Sequence, residues 1–183
     1  MKPEEALLLL DKHVQTDWLK KHCLATAAIM ESLARRLGGD PESWWSVGLL
    51  HDLDFERRQD LTTHGLETAE ILRAQGEPED AIQAILAHNA EGLGLERKST
   101  LDYALTCAES VTGLIVATAL VMPDRKLASV TAEGVLKKMK KKDFARKVSR
   151  EHVMLCEQIP LPLADFVALS VAAMQNIAGE LEL

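Results

Sequence analysis

Residues 40–55, DPESWWSVGLLHDLDF, hold the most informative stretch of the chain. Asp40 is an N-cap acid, and Pro41 occupies the first helical position, where its missing N–H costs nothing. The helix that follows is apolar nearly all round, so it is predicted to be buried and to run to about Leu53. It delivers an imidazole, His51, and a carboxylate, Asp52, to the interior at its C-terminal end. Adjacent residues on a regular helix point about 100° apart, yet at a fraying last turn they can converge on one ion. A buried carboxylate without a cation is costly, which favours a metal or an arginine beside Asp52. The plain alternative is that His51, Asp52, Asp54 and Glu56 only cap and solvate a helix end.

Outward from this helix the punctuation is helical throughout. Pro3 opens a helix to about Gln15, and a second spans Asp17–Leu37 before Gly38-Gly39. Thr62 or Thr63 caps a fourth, closed by Gly76, and Pro78 opens a fifth that ends near Asn89. Ser99 or Thr100 caps a long sixth helix that Pro123 follows; Thr131 starts a seventh, residues 144–158 form an eighth, and Pro162 opens a ninth. No alternating strand pattern of useful length occurs. The expected fold class is all-α: one domain over residues 1–183, a compact bundle of about eight or nine helices. Its motif core lies at about 17–122, and helices within 131–181 pack on it.

Composition agrees. Apolar residues make up 47% and charged residues 27% of 183, as in a soluble globular protein. Such a length buries about 70% of its unfolded surface, so no metal or disulfide is needed merely to fold. Three cysteines, Cys23, Cys107 and Cys156, with no CxxC pair, argue against a disulfide framework and suit a reducing cytoplasm. The N-terminus reads as an amphipathic helix start and not a signal peptide. Glu109 and several Ser, Thr and Gly residues in 104–122 argue for a core helix over a membrane span. The net charge of −7 argues against bulk nucleic-acid binding. Charge is uneven, however: residues 1–124 carry 11 basic and 21 acidic side chains, whereas 125–150 carry 10 and 2.

Six histidines occur. His13 and His152 sit among polar neighbours and are assigned to the surface. His22 shares a helical face with Trp18, Ala25, Ile29 and Leu33 and points inward. His64 falls in the first turn of the fourth helix, whose dipole keeps an imidazole neutral, as ligation requires. His88 shares a face with Ala81, Ala84 and Ile85. Glu109 is the one charged residue in 104–122, on a stripe with Leu101, Leu105, Thr112 and Val116, and must be paired, protonated or metal-bound. Each residue alone also fits a satisfied core group, a cap or a buried salt bridge. Together they form a nitrogen/oxygen ligand set drawn from several helices.

The ordered elements KHC at His22, HDLD at His51–Asp54, THG at His64, AHN at His88 and CAES at Glu109 resemble the HD superfamily of metal-dependent phosphohydrolases. LLHDLDFE, AILAHN, SVTGLIVATALV and VLKKMKKKDFARKV look like a small bacterial branch of it, so the resemblance covers about residues 17–160. It implies that His22, His51, Asp52 and Glu109 hold one divalent ion, and that His64 and His88 hold a second bridged by Asp52. Glu109 departs from the Asp usual at that position. Leu53-Asp54 replaces the Ile-Gly of the HDIG subset, and Phe55 occupies the place of the acid in HDxxE. One or two ions of Mn, Fe, Co, Ni, Zn or Mg would activate water against a small phosphorylated, nucleotide-like substrate. Asp54 is a candidate to orient that water, to act as general acid, or to support a ligand. Arg146 and Arg150, one helical turn apart in VLKKMKKKDFARKVSR, are candidates for a phosphate clamp, against the reading of that run as a solvated face. A di-iron oxygenase on the same fold and a non-catalytic metal- or nucleic-acid-binding module are the alternatives. A homodimer through the apolar C-terminal helix is open. No membrane partner is expected, nucleic acid is disfavoured, and the expected location is the cytoplasm.

Overall fold

The structure, a computed structural model, describes all 183 residues and is entirely helical. The helices run α1 Pro3–His13, α2 Asp17–Leu37, α3 Pro41–Leu50, α4 Leu66–Ala74, α5 Glu79–His88, α6 Ala90–Leu93, α7 Thr100–Leu120, α8 Ala132–Met139, α9 Arg150–Met154, α10 Leu163–Asn176 and α11 Ala178–Leu181. Short 3₁₀ turns cover Leu127–Ser129 and Leu155–Gln158. The helices exceed the expected nine because single-turn pieces, α6 and α11, follow α5 and α10 after a break at Asn89 and Ile177.

The starts follow their side chains. Ser99 accepts from Asp102 N while Asp102 reaches back to Ser99 N, a capping box that opens α7. Thr131 accepts from Gly134 N at the start of α8. Two expected boundaries are corrected. α3 ends at Leu50, not Leu53, and residues 51–57 form successive turns. α4 starts at Leu66 because Gly65, at φ +94°, breaks the helical path; Thr62 and Thr63 belong to the turn before it, bonded to Asp60. His64 therefore precedes the helix instead of lying in its first turn.

α7 is the central helix. It is long and apolar enough to cross a membrane, but here α2, α5, α8, α9 and α10 pack around it. Its Leu105, Val111, Leu114 and Ile115 are fully buried. α10 contributes Phe166, Val167 and Met174 to the same core.

α2 packs more extensively on α3 than any other helix pair does, and this packing sets the site. Gly48 makes that approach possible: a Cβ there would lie 2.9 Å from Ala27 Cα and 3.0 Å from Ala27 N. The turns after α3 are tied back to the α1–α2 linker. Glu56 accepts from Thr16 N at 2.6 Å and from Gln15 N at 3.1 Å, and Arg57 donates to His13 O at 3.0 Å. Because the Cβ of Gly48→Ala meets backbone that cannot step aside, the variant is expected to lose about 1–3 kcal/mol of stability, read from urea unfolding midpoints. A midpoint equal to wild type would show that the contact is not tight.

Candidate metal centre

Four imidazoles converge on one carboxylate. Asp52 follows α3 directly and is 6% exposed. Its Oδ2 lies 3.5 Å from His51 Nε2 and 3.8 Å from His22 Nε2. Its Oδ1 lies 3.2 Å from His64 Nε2 and 3.6 Å from His88 Nε2. The ligand-type atoms of His22, His51 and Asp52 fall within 4.8 Å of one another, and so do those of Asp52, His64 and His88.

The opposite nitrogen of every ring is already engaged. His51 Nδ1 donates to Gly48 O at 2.8 Å, and His88 Nδ1 donates to Ile85 O. His64 Nδ1 donates to Asp54 Oδ1 at 2.8 Å. Thr112 gives its proton to Glu109 O at 2.6 Å, so its oxygen accepts from His22 Nδ1 at 3.0 Å. With each Nδ1 carrying the proton, a neutral ring presents a bare lone pair at Nε2. These lone pairs face each other, His22 to His51 at 3.2 Å and His64 to His88 at 2.9 Å. Two acceptors at that distance repel unless a proton or a cation lies between them. The residues thus fit a divalent ion on each side of Asp52.

Titration follows from the same packing. Burial, above all, lowers His51 to about 4, leaving a neutral donor across the neutral range. Burial would lower His64 as well, but hydrogen bonds to Asp52 and Asp54 outweigh it and raise the ring to about 9. Burial opposes ionisation of Asp52, yet the surrounding histidines hold its carboxyl well below the usual range.

Asp54 is fully buried behind His64. Its carboxylate accepts from His64 Nδ1, from Gly65 N at 2.9 Å and from Thr68 N at 3.3 Å. It therefore holds the His64 ring from behind. Glu109 belongs to neither cluster; burial opposes its ionisation, but His152, foremost among its neighbours, holds its carboxyl below the usual range. It accepts from Ser110 Oγ at 2.5 Å and faces His152 Nδ1 at 3.9 Å.

A cleft of about 380 Å³ opens onto this centre, lined by Asp52, His64, His88, Glu109, Lys147 and His152 among others. His152 is thus not a mere surface residue. It lies between Glu109 and Glu91, with Nε2 3.4 Å from Glu91 Oε2, and those carboxylates raise its pKa, Glu109 foremost. Nothing in its local sequence distinguishes it. The arginine clamp is also corrected. Residues 142–147 form turns, not helix, so Arg146 and Arg150 are not a helical turn apart. Arg146 is exposed, and the Arg150 guanidinium donates to the carbonyls of Lys141, Phe144, Ala145 and Val148.

Asp54→Asn keeps an acceptor for one partner but removes the charge that holds His64. Metal affinity is expected to fall about 10- to 100-fold with the fold retained, measured by competition with a chromophoric chelator. Unchanged affinity would remove Asp54 from any supporting role.

The HD domain profile matches residues 19–119, which include every residue of the two clusters as well as Glu109, but not Lys147, Arg150 or His152. The chain is also similar to proteins named Ribonuclease Y. It is 31% identical over 118 residues to that of Acidothermus cellulolyticus, covering 62% of this chain and 23% of the relative. For that of Cutibacterium acnes the values are 30% over 93 residues, 50% and 17%. For that of a Sulfurovum species they are 33% over 88 residues, 48% and 16%. The chain thus spans less than a quarter of the length of these relatives. No solved structure matches. With the profile covering more than half of the chain and the His/Asp centre inside it, the chain belongs to the HD domain family.

Proposed function

We propose that this chain is a divalent-metal-dependent phosphohydrolase that acts on a nucleotide or a related phosphate mono- or diester. The observation that carries this reading is the set of four Nε2 atoms around Asp52, each ring fixed through its Nδ1. His22, His51 and Asp52 Oδ2 would hold one ion; His64, His88 and Asp52 Oδ1 would hold the other. Asp52 would bridge the two. A divalent cation so placed supplies Lewis acidity, which neutralises charge on phosphoryl oxygens and acidifies water towards neutrality.

The chain's own groups do the positioning. Asp54 fixes His64, Thr112 fixes His22, and the carbonyls of Gly48 and Ile85 fix His51 and His88. The Phe55 ring packs nearly perpendicular to His64, 5.3 Å between centroids. Four imidazoles favour Mn, Fe, Co, Ni or Zn over Mg, which prefers oxygen. The cleft suits a compact phosphorylated substrate, and the net charge of −7 disfavours a long polyanion. The name of the relatives makes an RNA phosphodiester the first diester to assay. The nitrogen-rich set suits iron equally, so an iron-dependent oxygenase is the second reading.

The test is metal content per chain in wild type and Asp52→Ala, purified without chelators or a His tag, then hydrolysis of phosphate mono- and diesters with each metal. The expectation is one or two ions in wild type and both metal and hydrolysis at background in Asp52→Ala. A wild type that carries no metal and takes up none would sink the reading. An iron-dependent visible spectrum with oxygen consumption and no ester hydrolysis would favour the oxygenase.

A further inference from the structure

The segment after α8 forms one wall of the cleft, although it lies outside the matched residues 19–119. It is held firmly. The Arg150 guanidinium gathers the carbonyls of Lys141, Phe144, Ala145 and Val148, which converts a basic run into a clasped turn. Ala145 sits at φ +45° within it, a conformation that a non-glycine residue keeps only when its surroundings hold it there. The turn docks on α7 where Val148 covers Gly113, a Cβ at which would lie 3.0 Å from Val148 Cγ2. Glu109 is one helical turn before Gly113, and His152, four residues after Val148, faces Glu109. The clasp and this docking set Lys147 at the cleft, beside the walls that carry Asp52, His64 and His88.

Lys147 is the one lysine or arginine lining that cleft, and its ammonium has no carboxylate within salt-bridge distance and no hydrogen-bond partner. The other charged groups nearby are matched: Arg97 pairs with Glu91, and His152 lies between Glu91 and Glu109. An exposed, unpaired three-donor cation at the mouth of a polar cleft is suited to an incoming phosphoryl oxygen.

We infer that Lys147, presented by the Arg150-clasped turn, binds a non-bridging oxygen of the substrate phosphate. This rests on the phosphohydrolase reading and identifies its substrate-binding cation as a residue from outside the family-matched segment. The substrate class is a phosphate ester with a freely exposed phosphoryl group. Lys147 has no part in holding metal.

The test uses the metal-loaded full chain with inorganic phosphate as probe, titrated by calorimetry into wild type, Lys147→Ala and Lys147→Arg. In parallel, KM and kcat for p-nitrophenyl phosphate are measured for all three. Lys147→Ala is expected to weaken phosphate binding about tenfold and to raise KM by a similar factor, the loss of one charge-assisted hydrogen bond, with metal content unchanged. Lys147→Arg, which keeps the charge, should retain most of the affinity. Equal phosphate affinity in wild type and Lys147→Ala, or a metal-loaded wild type that binds no phosphate, would overturn the inference even if hydrolysis is robust. Lys147-dependent phosphate binding without turnover of any ester would instead count against the phosphohydrolase reading and leave the subsite standing.

Discussion

Four imidazole nitrogens that cannot all be bare at once are held around one buried carboxylate, and much of the architecture serves that confinement. Nε2 atoms 2.9 Å and 3.2 Å apart repel as neutral acceptors, so the arrangement is stable only with positive charge between them. The protein cannot relieve the repulsion by turning a ring. Each Nδ1 is committed to a carbonyl, a carboxylate or a hydroxyl that is itself fixed. These partners come from α3, from the turns after it, from α5 and from α7, so the centre joins elements far apart in sequence. Close approach of α2 and α3 at Gly48 brings His22 to His51, and the break at Gly65 brings His64 to His88. A core of buried aliphatic and aromatic side chains around α7 holds these elements without help from the centre. The fold can therefore carry a locally unfavourable cluster.

Much of this was legible in the sequence. The all-helical class followed from helix caps, proline starts and the lack of alternating runs, and α2 matches its expected bounds at Asp17–Leu37. The inward faces of His22 and His88 followed from the helical period. Boundaries failed where the site needs irregular chain. α3 stops at Leu50 because the following turns must aim His51 and Asp52 at one point, something a continued helix with 100° between neighbours cannot do. The hydrophobic pattern of LLHDLDF has no feature that marks this break. Residues 144–158 read as helix from composition, yet Arg150 draws in the carbonyls of the turn before it, a tertiary interaction that no local propensity encodes. His152 was hidden for the same reason: its partners, Glu91 and Glu109, lie 61 and 43 residues away in the chain.

The Glu109 carboxylate is bonded to Ser110 and turned towards His152. Thr112, one residue short of a full turn later on α7, is what touches His22, through Nδ1 and not through Nε2. α7 thus orients the His22 ring with a hydroxyl and uses its carboxylate on the cleft wall. The first cluster offers two nitrogens and one oxygen from the chain, which would leave a bound ion open to water or a substrate oxygen.

The balance of charge in the cleft then explains why the basic run is used so sparingly. Asp52, Glu91 and Glu109 line it together with His64, His88, His152 and a single lysine. A divalent ion beside Asp52 would add positive charge at the centre, and Lys147 would extend that field outward to the mouth. Most of the remaining basic side chains of 137–150 stay on the exposed face, and Arg150 is consumed in building the turn. If every cation of the run faced inward, it would compensate the carboxylates without metal, and anions would bind whether or not the centre was loaded. With one lysine at the mouth, tight capture of a phosphate would need an occupied centre as well.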